Sequence, residues 1–201
     1  MSAEAERLAR AIDAIDAANA NDPETIVVDG VTRPKEQAHA EMMTAWVRRL
    51  DPHATDAQML AARAHHLRRW SIPRSTYPDG RSGYLRWRTA LKKQHADDVA
   101  TILEAQGYPA DDIATVQRIV RKEGLGREPM VQVHEDALCL VFLETQLGEL
   151  ADRLGADKTV DVIRKTVAKM SEQGIAVALA LDLPPASVAL VERAMTPEET
   201  S

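Results

Sequence analysis

Histidine and carboxylate side chains hold divalent cations, and several here fall where helical periodicity turns them inward. His39 shares a face with Met42, Met43 and Trp46, since residues three, four and seven apart stack on one side of a helix. His95 lies in line with Leu91, Val99 and Ile102, and Asp136 with Leu140, Leu143 and Leu147. The adjacent pair His65-His66 closes a helical run whose inner face is mostly alanine. An inward carboxylate is costly to bury without a cation or strong hydrogen bonds. Five such residues from four separate segments point to a His/carboxylate metal site, with His39, His65, His66 and Asp136 as ligands and His95 as a further ligand or acid/base group. The bland alternative is a set of satisfied core histidines with Asp136 in a salt bridge. Two other ligand choices stay open. Glu36 stands three residues before His39, an E-x-x-H spacing, and Glu135 neighbours Asp136 but points about 100° away on a helix. Glu144 closes the Asp136 run and is read as a partner of the basic loop. His53 and His134 read as peripheral.

Anion chemistry concentrates in 62-ARAHHLRRWSIPRSTYPDGRSGYLRWR-88. From Arg63 to Lys93 there are seven Arg and two Lys against Asp79 alone, a local charge of +8 in a chain of net charge −6. Guanidinium forks match phosphate and carboxylate. Arg68, Arg69, Arg74 and Arg81 are therefore candidate anion contacts, with Lys122 a further cation that could face an anionic substrate. Trp70, Tyr77 and Tyr84 supply faces on which a planar group could stack. Each arginine, at 63, 68, 69, 74, 81, 86 or 88, has the simpler reading of neutralising a carboxylate on a neighbouring helix.

The elements that must position these groups are helical nearly throughout. Periodicity predicts helices over residues 3–19, Pro34 to about Leu50, Asp56 to Arg69, about Tyr84 to Gln106, Pro109 to about Glu123, 131–154, 157–173, 175–182 and Pro185 to about Met195. Residues 20–33 read as a loop or small hairpin around Asp29-Gly30. Pro73, Pro78, Gly80 and Gly83 break the pattern into a loop of about a dozen residues, a length often tied to function. The expectation is an all-α single domain over 1–201 of about eight or nine helices. Its ligand core spans about 34–173, helices 174–195 pack on it, and the tail 196–201 frays.

Composition narrows the function classes. Net charge −6 argues against a whole-chain nucleic-acid or membrane binder. The one cysteine, Cys139, sits in the apolar run 137-ALCLVFL-143 and excludes an intramolecular disulfide or a cysteine-rich metal site. The N-terminal MSAEAERLARAIDAIDAANA lacks a signal-peptide core, and no apolar run reaches the length of a membrane helix. A cytoplasmic location is expected. There is no P-loop, no dinucleotide-binding glycine motif and no serine nucleophile elbow.

Three stretches, HHLRRWSIPRSTYPDGRSGYLRWRTALKKQHA, EDALCLVFLE and IRKTVAKMSEQG, resemble an uncharacterised family catalogued as domain of unknown function 4202. With the His39 helix they cover most of residues 35–182. More distantly, the chain resembles the HD superfamily of metal-dependent phosphohydrolases. That resemblance implies an HD-like helical fold in which 36-EQAHAEMM-43 supplies His39, 61-AARAHHLRRW-70 supplies His65 and His66, and 135-EDALCLVFLE-144 supplies Asp136 as the final aspartate. His95 resembles an additional later histidine. The sequence departs from the HD pattern at His66, which stands where that family has its second-position aspartate. The change removes a negative charge and the bridging carboxylate of a two-metal site.

Together these readings predict a metal-dependent hydrolase of a small phosphorylated or nucleotide-like metabolite, using Mn, Mg, Co, Zn or Fe. Two alternatives accompany it. One is an iron-dependent oxygenase of the HD type. The other is a non-catalytic RNA-binding or helical interaction protein. RNA is the lesser partner expectation, no membrane is expected, and the sequence gives no oligomeric state.

Overall fold

The computed structural model describes residues 2–28 and 30–196. The expected turn residue Asp29 and all but the first residue of the expected frayed tail therefore lie outside the described residues. Ten α-helices and one two-stranded hairpin are present among those described. The all-α expectation holds, with slightly more helices than eight or nine. The backbone gathers into two compact units, one ending at Gly124 and the other beginning at Leu125.

The first unit starts with α1 (Ala3–Asn19), whose N-terminus is capped by the Ser2 side chain. The hairpin of β1 (Thr25–Val28) and β2 (Val31–Pro34) follows, in the register Thr25↔Pro34 to Val28↔Val31. Gly30 takes φ 77°, the left-handed geometry that a two-residue hairpin turn needs. Next come α2 (Lys35–Leu50) and α3 (Asp56–Arg63). The cap of α3 is Thr55 rather than Asp56, through a reciprocal capping box with Gln58. Then come α4 (Gly80–Ala105) and α5 (Ala110–Arg121), which pack on each other. Helix α3 packs against α1, α2 and α5. Ala61, Ala62 and Ala64 on this segment are fully buried. Their small side chains let three neighbouring helices approach it.

Helix α3 ends at Arg63, six residues short of the sequence expectation. Residues 64–68 turn instead, and Arg68 adopts φ 52°, ψ 39°. This left-handed backbone costs a non-glycine residue about 1–2 kcal/mol. The conformation is held at both ends: the Arg68 N–H donates to Asn19 Oδ1 at 3.1 Å, and the Arg68 carbonyl accepts from Gln94 Nε2 at 3.2 Å. Short 3-10 turns at Arg69–Ser71 and Arg74–Thr76 carry the chain to α4.

The second unit contains α6 (Pro129–Thr145), α7 (Leu147–Leu154), α8 (Ala156–Val167), α9 (Glu172–Leu179) and α10 (Pro185–Met195). The single helix expected over 131–154 is divided at Gln146. Thr145 Oγ1 donates back to the Val141 carbonyl at 2.7 Å, a local bond that tends to bend a helix. Helix α6 packs on α9, and α8 on α7 and α10. Leu140, Leu143, Leu147 and Ile163 are fully buried in this unit, and Cys139 is buried beside Thr166.

Candidate metal centre

Three side chains of the first unit meet. Glu36 and His39 sit three residues apart on one face of α2, and His66 arrives on the turn after α3. Glu36 Oε2 lies 2.9 Å from His66 Nδ1 and 3.6 Å from His39 Nδ1. One ligand atom from each of the three falls within 4.8 Å of the others. Donors about 2 Å from a common ion stand about 3 Å apart, so the spacing fits one divalent cation. Glu36 and His39 are buried, while His66 is about one-fifth exposed at its side chain. Burial of a carboxylate calls for compensating charge or hydrogen bonds, and here the two imidazoles and Arg69 surround it. Glu36 is held in place by its backbone N–H, which donates to Asp22 Oδ2 at 2.8 Å.

The remaining histidines define the surroundings. His65 stacks on His66 with ring centres 3.9 Å apart. His95 faces His66 at 5.8 Å. The His95 ring is oriented by its Nδ1, 2.8 Å from the Leu67 carbonyl, which makes Nδ1 the donor. Its Nε2 is buried and has no hydrogen-bond partner. Burial pushes the His95 imidazole down to about 4, against the pull of the Leu67 bond. Burial also holds His66 well below the usual histidine range, aided by the charge of Arg69. Both rings are thus neutral near pH 7, the state in which imidazole binds a metal. Lys122, which ends α5 with φ 60°, is near enough for its charge to bear on His66.

Arg69 spans the cluster and the space beside it. Its Nη1 donates to His66 Nε2 at 3.1 Å, and its Nε is 3.8 Å from Glu36 Oε1. Its guanidinium lies 4.9 Å from the centre of the Trp87 ring. Glu36 and Arg69 both line a cavity of about 440 Å³, together with Lys35, Arg74, Trp70 and Trp87. Trp87 is fixed by its indole N–H, which donates to the Ile72 carbonyl at 2.8 Å. Gly83, one turn before Trp87, is a steric necessity: a Cβ there would lie 1.9 Å from the Pro78 carbonyl oxygen.

The candidate residues therefore divide. His39 and His66 come together, and the carboxylate beside them is Glu36, flagged in the sequence by its E-x-x-H spacing. His65 and His95 flank the group without belonging to it. Arg69 and Arg74 line the cavity, although Arg74 spends both terminal nitrogens on the Tyr77 and Pro78 carbonyls. Arg68, Tyr77, Arg81 and Tyr84 are not among its lining residues. Arg63 takes the simpler role, a bidentate pair with Asp16. Lys35 and Trp87 were not singled out from the sequence as ligand contacts. The signal for Trp87 was its place in the same basic aromatic stretch.

In the second unit the Asp136 carboxylate accepts from Ser171 N–H at 2.9 Å, Ser171 Oγ at 2.5 Å and Gln132 Nε2 at 3.0 Å. It thereby ties α6 to the start of α9. His134 is buried, whereas His53 is exposed, and neither belongs to the Glu36, His39 and His66 group.

A family model described as a domain of unknown function, DUF4202, matches residues 9–191. No curated protein and no solved structure matches the chain.

Proposed function

The chain belongs to the DUF4202 family, a domain of unknown function, and from the site itself we propose that it is a metal-dependent hydrolase of a small phosphorylated or nucleotide-like metabolite. One observation carries the reading: Glu36, His39 and His66 form a group able to hold a cation, and Glu36 also lines a cavity furnished with Lys35, Arg69 and Arg74. A His₂Glu donor set is one that zinc hydrolases use. A divalent ion held there lowers the pKa of a bound water and polarises an ester or phosphoryl oxygen. The chain's own residues supply the rest. Arg69 and Lys35 attract the anionic group, Trp70 and Trp87 offer flat apolar walls, and the burial of Glu36 and His39 keeps bulk water from competing for them.

The same two histidines and one carboxylate favour a second reading, an iron-dependent oxygenase, because that donor set also suits non-haem Fe(II). Metal analysis of protein purified without chelators separates the two. The hydrolase reading expects about one equivalent of Mg, Mn, Co or Zn and turnover of p-nitrophenyl phosphate that is lost on chelation. Iron with visible absorbance supports the oxygenase. If Glu36→Ala and His39→Ala retain the wild-type metal content, both readings fall.

A further inference from the structure

We infer that Arg69 couples the cation and the anion of this site: its bond to His66 competes with the cation, and an oxyanion that draws the guanidinium into the cavity strengthens cation binding. The inference rests on the reading of Glu36, His39 and His66 as a metal centre. It follows from which atoms carry hydrogens. A guanidinium can only donate. Because Arg69 Nη1 lies 3.1 Å from His66 Nε2, that nitrogen presents its lone pair. The imidazole proton then sits on Nδ1 and is donated to Glu36 Oε2 at 2.9 Å. This tautomer leaves neither ring nitrogen open to a cation.

A cation has two routes to His66, and both remove the Arg69 bond. Binding at Nδ1 moves the proton of the neutral ring to Nε2, where it faces another donor. Binding at Nε2 displaces the guanidinium directly. In either case the positive charge of Arg69, also 3.8 Å from Glu36 Oε1, is repelled by the incoming ion. The guanidinium has somewhere to go. It rests on the Trp87 ring and lines the cavity. The neighbouring cations are more committed, Lys35 to Glu24 at 2.8 Å and Arg74 to two carbonyls of its own loop. A phosphate, sulfate or carboxylate entering the cavity thus meets Arg69 as the cation able to exchange partners. By linkage each ligand then favours the other.

The test is Co(II) titration of the full chain, followed by visible absorbance, with and without sulfate. The expected result is a rise in wild-type Co(II) affinity with sulfate of about fivefold or more, the lower range of ordinary coupling. Arg69→Gln is expected to bind Co(II) more tightly than wild type without sulfate, and to lose the sulfate effect. Arg69→Lys, which keeps the charge but not the fork, is expected to lose most of it; thermal melting confirms that each variant is folded. Absence of Co(II) binding by the wild type removes the metal centre and the inference with it. Wild-type binding that sulfate does not move, or a folded Arg69→Gln with an unchanged sulfate effect, overturns the inference alone.

Discussion

At the scale of residues, the candidate site is defined by which polar atoms are committed and which are not. Glu36 offers its carboxylate to two imidazoles and an arginine, whereas Asp136 spends its own on Ser171 and Gln132. His95 has one nitrogen fixed by Leu67 and the other buried without a partner. That environment makes its protonation unfavourable in the folded state, and stability must depend on pH accordingly. The folded value of about 4 lies below the ordinary 6.5, so the unfolded chain binds the proton more readily across that window. The contribution is fully present above pH 6.5 and is lost as pH falls towards 4. His66 acts in the same direction. Thermal unfolding monitored by circular dichroism is therefore expected to show a midpoint that drops across this range. His95→Gln should flatten the slope, and a slope unchanged in a folded variant would count against this account.

At the scale of elements, two backbone features hold functional or buried groups in place. Helix α3 ends at Arg63, the turn over residues 64–68 brings His66 to the Glu36 face of α2, and the left-handed Arg68 at its end leads into Arg69 beside Glu36. A helix continued to Arg69 would have kept regular helical spacing instead. In the second unit, Ser171 caps α9 through Gly174 N–H while its own N–H and hydroxyl bind Asp136. This brings Gly174 so close that a Cβ there would lie 2.7 Å from Asp136 Cγ. Gly174→Ala is expected to destabilise the protein by about 1–3 kcal/mol through overpacking. The drop should appear as a lower urea midpoint with little change in slope. A neutral substitution would show that the carboxylate yields easily.

At the scale of the whole molecule, charge is distributed unevenly. The segment Arg63–Lys93 carries +8 while the complete chain carries −6. Several of those arginines are occupied: Arg63 by Asp16, Arg74 by backbone carbonyls, and Arg69 by His66 and Glu36. The proposed function places a small anion at one point rather than a polyanion neutralised at many. RNA binding, if measured by fluorescence anisotropy, is expected to disappear as salt rises to about 150 mM. Tight binding that survives physiological salt would favour the RNA-binding alternative over the hydrolase.

The sequence by itself determined the helical class, because hydrophobic periodicity acts over a few residues and needs no distant partner. The E-x-x-H of Glu36 and His39, a second choice at that point, is legible because a helix alone sets the facing of residues three apart. The break at Gln146 and the early end of α3 were not legible, since the hydrophobic periodicity continues through both. The carboxylate expected beside the histidines was Asp136, with Glu36 a second choice, and the group that forms holds Glu36, since both lie on inward helix faces and local pattern does not rank them. Only tertiary structure brought His66, thirty positions along the chain, to Glu36, and engaged Asp136 with Ser171, thirty-five positions away. Contacts at that separation depend on where packed helices place their ends, a property that no local pattern encodes.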